Sequence, residues 1–352
     1  MHGKIQPGVR FLVTAALLWL TSLAVQAVGG QDLFEAEVPV TSQQPEERST
    51  AMQQALSEVL VRVTGQRELL RTGQVRPLLD DASRFIQQYR YFTVPDSTPP
   101  ELMLRVRFDS NGIRQALREQ GVAYWGDTER PDTLVWLGVE ERGRRYIVSA
   151  QDGTVAREQV QQAARQRGVP LLFPLMDLQD QAQVRFSDIQ GGFFDRVLEA
   201  SERYSPQAIL IGRLNLSPSG SWVARWNLRV AGNTTTWTDT DSQLAGVARA
   251  GIDNVADSLA SRLAVTDSGT LGNRVSITVE DINTLAAYAR VTDYLESLTA
   301  VRQVQVVQVA GTSVDYDLQL HGSLQGLTQT IIIGTVLEPA AGEAPGSYRV
   351  RQ

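Results

Sequence analysis

The sequence predicts a multidomain chain of α/β and α+β class, built from mixed sheets with packed helices and ending in a ferredoxin-like βαββαβ unit. Three observations predict it. Helical stripes alternate with short apolar runs between residues 131 and 206, which implies parallel crossovers. The stretch Gln207 to Thr238 then reads as three consecutive strands. From residue 274 onward the order is strand, helix, strand, strand, helix, strand, the split pattern of ferredoxin-like folds. A chain of 352 residues has room for two or three modules at ~100–200 residues each. Its 42% hydrophobic and 20% charged residues are ordinary globular composition.

Residues 1–27 have the three parts of a secretory signal peptide. Lys4 and Arg10 form a positive region, Phe11 to Leu23 an apolar one, and Val25-Gln26-Ala27 a small-residue site, so cleavage is expected after Ala27. A spanning helix needs roughly 20 apolar residues, and Gln26 and the two glycines after Val28 come too soon. No later stretch is as long and apolar, so no transmembrane segment is expected after leader removal, and the expected location is the periplasm. Losing Lys4 and Arg10 takes the 33 basic residues to 31 against 39 acidic ones, a formal charge of −8. Every basic residue left is arginine. An acidic surface argues against nucleic acid or anionic membrane as principal partner, because both need a basic footprint. Cysteine is absent, which excludes disulfides and a lipidated amino terminus and leaves the core to hold the fold alone.

The first module, residues 28–130, opens with Phe34, Ala36, Val38 and Val40 alternating as a strand. Pro45 and two acids start a helix whose stripe is Met52, Ala55, Leu56, Val59, Leu60 and Val63, stopped by Gly65. Pro77 opens a second expected helix through Leu78, Leu79, Ala82, Phe85, Ile86 and Tyr89. After the Pro95 to Pro100 loop, Leu102 to Phe108 alternate as a strand, and Ile113 to Gln120 form a helix ended by Gly121.

The second module, residues 131–265, begins with strands at Leu134 to Val139 and Tyr146 to Ser149. A helix spans Val155 to Arg167 with Gly168 as its stop, a strand spans Leu171 to Phe173, and Phe193 to Ser201 form another helix. Ala208 to Ile211 are continuously apolar, as in a strand covered on both faces. Trp222, Ala224, Trp226, Leu228 and Val230 alternate with Val223, Arg225, Asn227 and Arg229, one face core and the other wet. Thr234 to Thr238 make the third strand, and Thr240-Asp-Ser-Gln243 has the form of a capping box ahead of a helix with Leu244, Ala248, Ile252, Val255, Leu259 and Leu263 on one stripe. The expected result is a partly parallel sheet that ends in an antiparallel hairpin and is backed by the last helix. Residues 266–273 form a polar linker, and 274–352 the ferredoxin-like module.

Catalytic residue types are scarce. His2 leaves with the leader, so a serine–histidine–acid triad would have to use His321. Asp315, Asp317 and His321, at i, i+2 and i+6, are the weak candidates for a metal site; a solvated strand face explains the spacing equally well. Asp80-Asp81, Glu140-Glu141 and Glu280-Asp281 are sequence neighbours that face opposite ways on a strand, and Asp177, Asp180 and Asp188 are expected in a loop. Gly191-Gly192 precedes a helix without a phosphate-loop pattern, and the lack of lysine excludes a P-loop or a Schiff base. Asn215 and Asn233 match glycosylation sequons by chance, and Trp222 with Trp226 suits core packing better than ligand stacking. No catalytic residue, cofactor-binding residue or cofactor is assigned.

The run LFEAEVPVTSQQPEERSTAMQQALSEVLVRVTGQ at Leu33 to Gln66 and AILIGRLNLSPSGSWVARWNLRV at Ala208 to Val230 resemble the exported proteobacterial family known as domain of unknown function 2066. The most recognisable parts are Val61 to Gly65 and the hairpin from Gly-Arg-Leu to Trp-x-x-x-Trp. That family has no established activity, so the resemblance implies no site residues. More distantly, the middle module's strand–helix order is similar to the amino-terminal domain of the Tol system's propeller protein and to lipoprotein activators of cell-wall synthases, whose lipidated cysteine this chain lacks.

Together these observations lead to an expected periplasmic, non-enzymatic adaptor that binds envelope proteins. The alternative is a small-molecule binder with its ligand near Ser149 to Gly153 and Phe173 to Asp177, at the carboxyl ends of the parallel strands. A hydrolase using only Asp, Glu and Arg is a third reading.

Overall fold

A computed structural model describes residues 33–94, 100–126, 130–265, 274–321, 323–340 and 346–351. The leader and its cleavage site, the linker 266–273 and most of both proline-bearing loops lie outside the described residues.

In the first region β1 (Glu35–Pro39), β2 (Ile86–Val94) and β3 (Glu101–Phe108) form an antiparallel sheet in the order β1-β3-β2. The long helix α1 (Pro45–Thr64) lies on one face and buries Leu56, Val59, Leu60 and Val63 completely. Proline at its start and Gly65 in the left-handed region at its end, φ 68°, set its limits as the sequence predicts. Its first turn is closed by Glu47, whose carboxylate accepts from the Thr41 N–H and the Thr41 and Ser42 hydroxyls. Those bonds hold the Glu47 carboxyl down at about 2. A one-turn helix α2 (Arg76–Asp80) follows, and α3 (Ser110–Glu119) closes the region.

The helix expected through Ile86 and Tyr89 is a correction. Helical structure stops after α2 and a 3₁₀ turn at Ala82–Phe85, and Ile86 begins β2. The segment IQQYRYFTV is rich in aromatic and β-branched residues, and pairing with β3 from Ile86↔Phe108 to Val94↔Glu101 overrides the accidental helical spacing of Leu78, Ala82, Phe85 and Tyr89.

The middle sheet contains β4 (Thr133–Glu141), β5 (Arg144–Ile147), the short β6 (Leu171–Leu172), β7 (Ala208–Leu216), β8 (Trp222–Val230) and β9 (Asn233–Asp241). Its order is β5-β4-β7-β8-β9, with β6 also paired to β4. β4 and β7 are parallel, whereas β7, β8 and β9 form an antiparallel meander, as the sequence predicts. Between strands the chain makes α4 (Val155–Arg167), α5 (Leu178–Gln183), α6 (Phe186–Gly191) and α7 (Phe194–Ser201), and after β9 comes α8 (Leu244–Leu263). One face of the sheet packs on α4 and α8 around Leu137, Leu210, Trp226, Ile252 and Leu259. The other face packs Trp136, Ile211, Ile189 and Val197 under α6 and α7. The Trp226 ring is pressed between two glycines: a Cβ at Gly212 would come within 2.5 Å of it and one at Gly251 within 2.3 Å.

Two local readings are corrected here. Asp177, Asp180 and Asp188 lie at helix starts, not in a loop: Asp177 caps α5 and Asp188 accepts from the Arg185 N–H at the head of α6. At α8 the expected capping box does not form, because Thr240 and Asp241 remain in β9 and Asp241 accepts from the Gln243 N–H instead.

In the last region β10 (Arg274–Glu280), α9 (Leu285–Ser297), β11 (Val301–Ala310) and β12 (Ser313–Leu320) make a split βαβ unit, with β12 inserted antiparallel between β10 and β11. After α10 (Leu324–Ile333) the chain departs from the ferredoxin-like pattern. It adds β13 (Leu337–Pro339) before β14 (Ser347–Val350), in the order β11-β12-β10-β14-β13. β14 pairs parallel to β10 and antiparallel to β13. The strand that leaves α10 therefore has the direction the split pattern requires but lies one place further out, and β14 turns back into the slot beside β10. Tyr316, Leu318, Val291, Leu295 and Ile331 fill the core between this sheet and its two helices.

Candidate functional site

Of the residues singled out in the sequence, Asp177 and Asp180 come together on Arg203, whereas Asp315, Asp317 and His321 form no metal-binding group. Asp315 accepts from the Thr278 hydroxyl at 2.7 Å across the β10–β12 ladder, and Asp317 faces Arg274 at 3.9 Å. His321 lies past the end of β12, with its N–H bonded to the Ala300 carbonyl. Among the described residues no group of three or more His, Cys, Asp or Glu side chains is placed to hold a metal ion. Asp80 pairs with Arg76, and Glu140 with Arg145 at 2.8 Å. Glu141 accepts from the Tyr146 hydroxyl; burial first, and this bond second, push that phenol up to about 12. Gly191 ends α6, and Gly192 is its left-handed cap. Asn215 is paired within the β7–β8 ladder, and Asn233 starts β9.

One charged cluster lies beside the crevice considered for a small ligand. Arg203 grips both Asp177 oxygens at 2.8 and 2.9 Å and reaches Asp180 at 3.0 Å. Asp180, fully buried, also accepts from the Met176 N–H and from the Tyr204 hydroxyl at 2.5 Å. The guanidinium holds the Asp177 carboxyl at about 2, while burial and then the bond to Asp180 raise Tyr204 to about 12. Met176 and Ser205 both adopt left-handed backbone, φ 52° and 46°, at the edges of this cluster. With these lone pairs and protons committed internally, the arrangement clamps a strained turn and offers no acid–base pair to a substrate. Nearby, Ala150 N–H bonds the Pro174 carbonyl and the Arg157 guanidinium stands over the Phe173 ring at 5.5 Å. An aromatic of the expected ligand crevice, Phe173, is thus packed against an arginine of α4.

Sequence reasoning missed the seams between the three sheets. The first seam is held by buried arginines. Arg130 donates to the carbonyls of Gly168, Arg62 and Trp125 while lying over the Trp125 ring at 4.0 Å. Arg62 donates to the Gln166 and Glu35 carbonyls. Arg167 and Arg67 together grip Asp253 and Asp257 on α8, at 2.5 to 2.9 Å. Here α1 meets α8 so closely that a Cβ at Gly65 would come within 2.0 Å of the Ala260 Cβ. Trp125, near the expected module boundary, lies in the middle core, and Tyr124 bridges to Val265.

The seams of the third sheet are more open. A cavity of about 460 Å³ lies between the Ser205–Gln207 turn, Arg229 and the end of α10, with Arg351 on its wall. A second cavity, of about 220 Å³, lies between α3 and the third sheet and is lined by Arg114, Arg118, Tyr124, Ser297, Thr299 and His321, with three valines. No residue type in either had pointed to the other side of its cavity, because the walls come from segments far apart in the chain.

Between β6 and the start of α7 four large apolar side chains are exposed: Leu172, Leu175, Leu178 and Phe193, with Leu178 at 87% and Phe193 at 67% exposure. Among the described residues no helix is long and apolar enough to cross a membrane. No curated protein matches the chain. Residues 27–126 match a family model described as Domain of unknown function (DUF8605), so the first region, with its three-stranded sheet and α1, is similar to an uncharacterised domain.

Proposed function

We propose that this protein is an exported, non-enzymatic component of the cell envelope that binds another envelope protein. The observation that carries the reading is the run of exposed apolar side chains between β6 and α7. Leu172, Leu175, Leu178 and Phe193 fall within a stretch of 22 residues. Single exposed apolar residues need no explanation, but several large ones within one short segment of an acidic protein support a surface that another protein covers. The clamped carboxylates support the non-enzymatic part, since Asp177 and Asp180 spend their lone pairs on Arg203, Tyr204 and backbone N–H groups. The leader pattern of residues 1–27 and the resemblance to the exported family 2066 support the periplasmic location.

A photo-crosslinking residue placed at Leu178 or Phe193 in the full chain, expressed in cells, tests the binding surface. Discrete heavier species at both positions, and none from Arg249 on the exposed side of α8, are expected. No adduct at either apolar position would refute the reading. The mass of the protein from a periplasmic extract tests export: a chain starting at Val28 is expected, and one starting at Met1 would overturn it.

A further inference from the structure

We propose that β11 is a dimerisation edge, on which the same strand of a second copy of this chain pairs antiparallel about a two-fold axis between Val306 and Val307. The proposal stands apart from the binding role given above to the segment between β6 and α7. β11 is ten residues long and ends its sheet, with β12 the one strand paired to it among the described residues. About half of the backbone N–H and C=O groups of such an edge point away from the sheet and can pair with another strand. Natural edges are commonly closed by charge, proline or shortness. β13, at the far edge of this sheet, has three residues and ends in Pro339, and β9, the long edge of the middle sheet, carries Asp239 and Asp241. β11 has none of these devices: from Gln303 to Ala310 it holds no charge and no proline, in a chain with 39 acidic and 33 basic residues. Two copies of an acidic chain can bring a neutral strand together without like charges meeting across the ladder.

The order of the residues names the occupant. Gln303-Val-Gln-Val-Val-Gln-Val-Ala310 reads nearly the same in both directions about the bond between Val306 and Val307. Antiparallel pairing on that centre sets Val306 against the partner's Val307, Gln305 against the partner's Gln308 and Val304 against the partner's Val309, and the two-fold axis repeats each pair. The faces agree as well. Val304 and Val309 are five residues apart, which on a regular strand puts them on opposite faces, but the register shift between Val306 and Gln308 adds one residue and returns them to the same face. Val304 pairs with Leu318 and Val309 with Val314, both buried residues of β12, while Gln305 and Gln308 lie opposite Asp317 and Asp315. Val304 and Val306 already pack against the third core, whereas Val307 is 63% and Val309 61% exposed. In the paired strands each exposed valine meets a half-buried valine of the second copy, so the valine row of one core runs on into the other. Arg302 is the one charge on β11. Its two copies are nine positions apart along the joint ladder, about 30 Å at ~3.3 Å per residue, too far to repel.

Sedimentation velocity of the full chain at rising concentration, to about 1 mM, should show a reversible monomer–dimer equilibrium, because one strand pair makes an interface at the small, transient end of the usual range. Val307→Lys sets two ammonium groups beside the axis and should weaken association at least tenfold. Thr236→Lys, the same charge on the exposed edge β9, should leave it unchanged. The register has its own readout. The chain has no cysteine, so oxidising a mixture of the Gln305→Cys and Gln308→Cys proteins should give a covalent dimer with one copy of each. A mixture of Gln303→Cys and Gln305→Cys, whose thiols fall five positions apart in the ladder, should not. A chain that stays monomeric at every concentration would overturn the proposal and leave the edge to another protein's strand. A dimer that Val307→Lys does not weaken, or that cross-links equally in both mixtures, would overturn it as well.

Discussion

The two seams that join the outer sheets to the middle one are built by opposite means. At the first, arginines on both sides donate to buried carbonyls, and two aspartates of α8 are held between Arg67 and Arg167. At the third, the Gln207 side chain donates to the Ile333 carbonyl at 3.0 Å and Ile333 is buried in the middle core, beside an open cavity. A buried guanidinium satisfied by carbonyls cannot be removed without leaving several acceptors unpaired, whereas an apolar residue at the edge of a cavity leaves little behind. The first sheet should therefore stand or fall with the middle one, and the third should be separable.

The strongest way to test that contrast goes through α8, which both the middle core and the first seam use. Trp226→Ala empties the space between Gly212 and Gly251 and should cost about 3–5 kcal/mol, the usual loss for a large core ring. Because α8 carries Asp253 and Asp257, the first and middle sheets should lose stability in one transition, with amide exchange rising together in α1 and α8. A melting midpoint equal to the parent's would show that the ring is not core. Loosening of α8 alone would show that the first seam is not coupled to it.

Arg130→Met tests the seam at its buried guanidinium, which meets the middle core at the Trp125 ring. It keeps much of the stem but strands the Gly168, Arg62 and Trp125 carbonyls, and should cost on the order of 3 kcal/mol. Chemical denaturation read from the Trp125 region is the measurement. A loss below about 0.5 kcal/mol, the usual range for a surface change, would mean that water replaces the guanidinium and the seam is wet.

The same contrast explains what could be read from the sequence. Helix α1 was legible because Pro45, its acids and Gly65 are local signals, and α4 because Gly168 ends a clear stripe. The β8 face was legible because alternation of Trp222, Ala224, Trp226 and Leu228 has one physical cause. Strand β2 was not, because the helical spacing of Leu78, Ala82, Phe85 and Tyr89 runs across the change after Phe85, and pairing with β3 decides the outcome. The place of β14 was illegible for a similar reason: whether a returning strand lies parallel to β10 is decided by β13, three residues long. The cavity between α3 and the third sheet was out of reach altogether. Arg118 and His321 look like ordinary solvated side chains until the fold brings α3 against the end of β12.

A smaller effect is expected at the third seam. A chain ending at Val265 gives up the Gln207 bond and the cover that Ile333 provides, about 1–2 kcal/mol, which is about 2–8 °C in melting temperature for a domain of this size. Gly272–Gln352 expressed alone should show a dispersed amide spectrum, since Tyr316, Leu318, Val291 and Leu295 form a core of their own. At about 80 residues its stability will be modest. A collapsed spectrum for that segment, or a loss of folding in the chain ending at Val265, would break the contrast by making the third sheet as dependent as the first.

The smallest effect sharpens the picture of the first seam from below. Asp239 lies on β9 opposite Ala224, close to the indoles of Trp226 and Trp237. Burial pushes its carboxyl above the ordinary value of 3.8, more than the two indoles and Arg67 lower it, and Asp253 adds to the rise. The indole nitrogens of both tryptophans and one Asp239 oxygen have no hydrogen-bond partner among the described residues, so the tryptophans favour the charge only weakly. The folded state holds this proton more tightly than the unfolded chain. The stability it supplies is complete below about 3.8, the unfolded value, and is lost as pH rises through the higher folded value. At neutral pH the charged side chain therefore works against the fold. Asp239→Asn should raise the melting temperature at pH 7, and the advantage should shrink as pH falls and disappear below about 3.8. In an Arg67→Gln background the gain at pH 7 should be larger, because the attraction that offsets burial is gone. Equal melting temperatures for Asp239→Asn and the parent across that range would mean that water reaches the carboxylate, and the floor of the first seam would then be as open as the third.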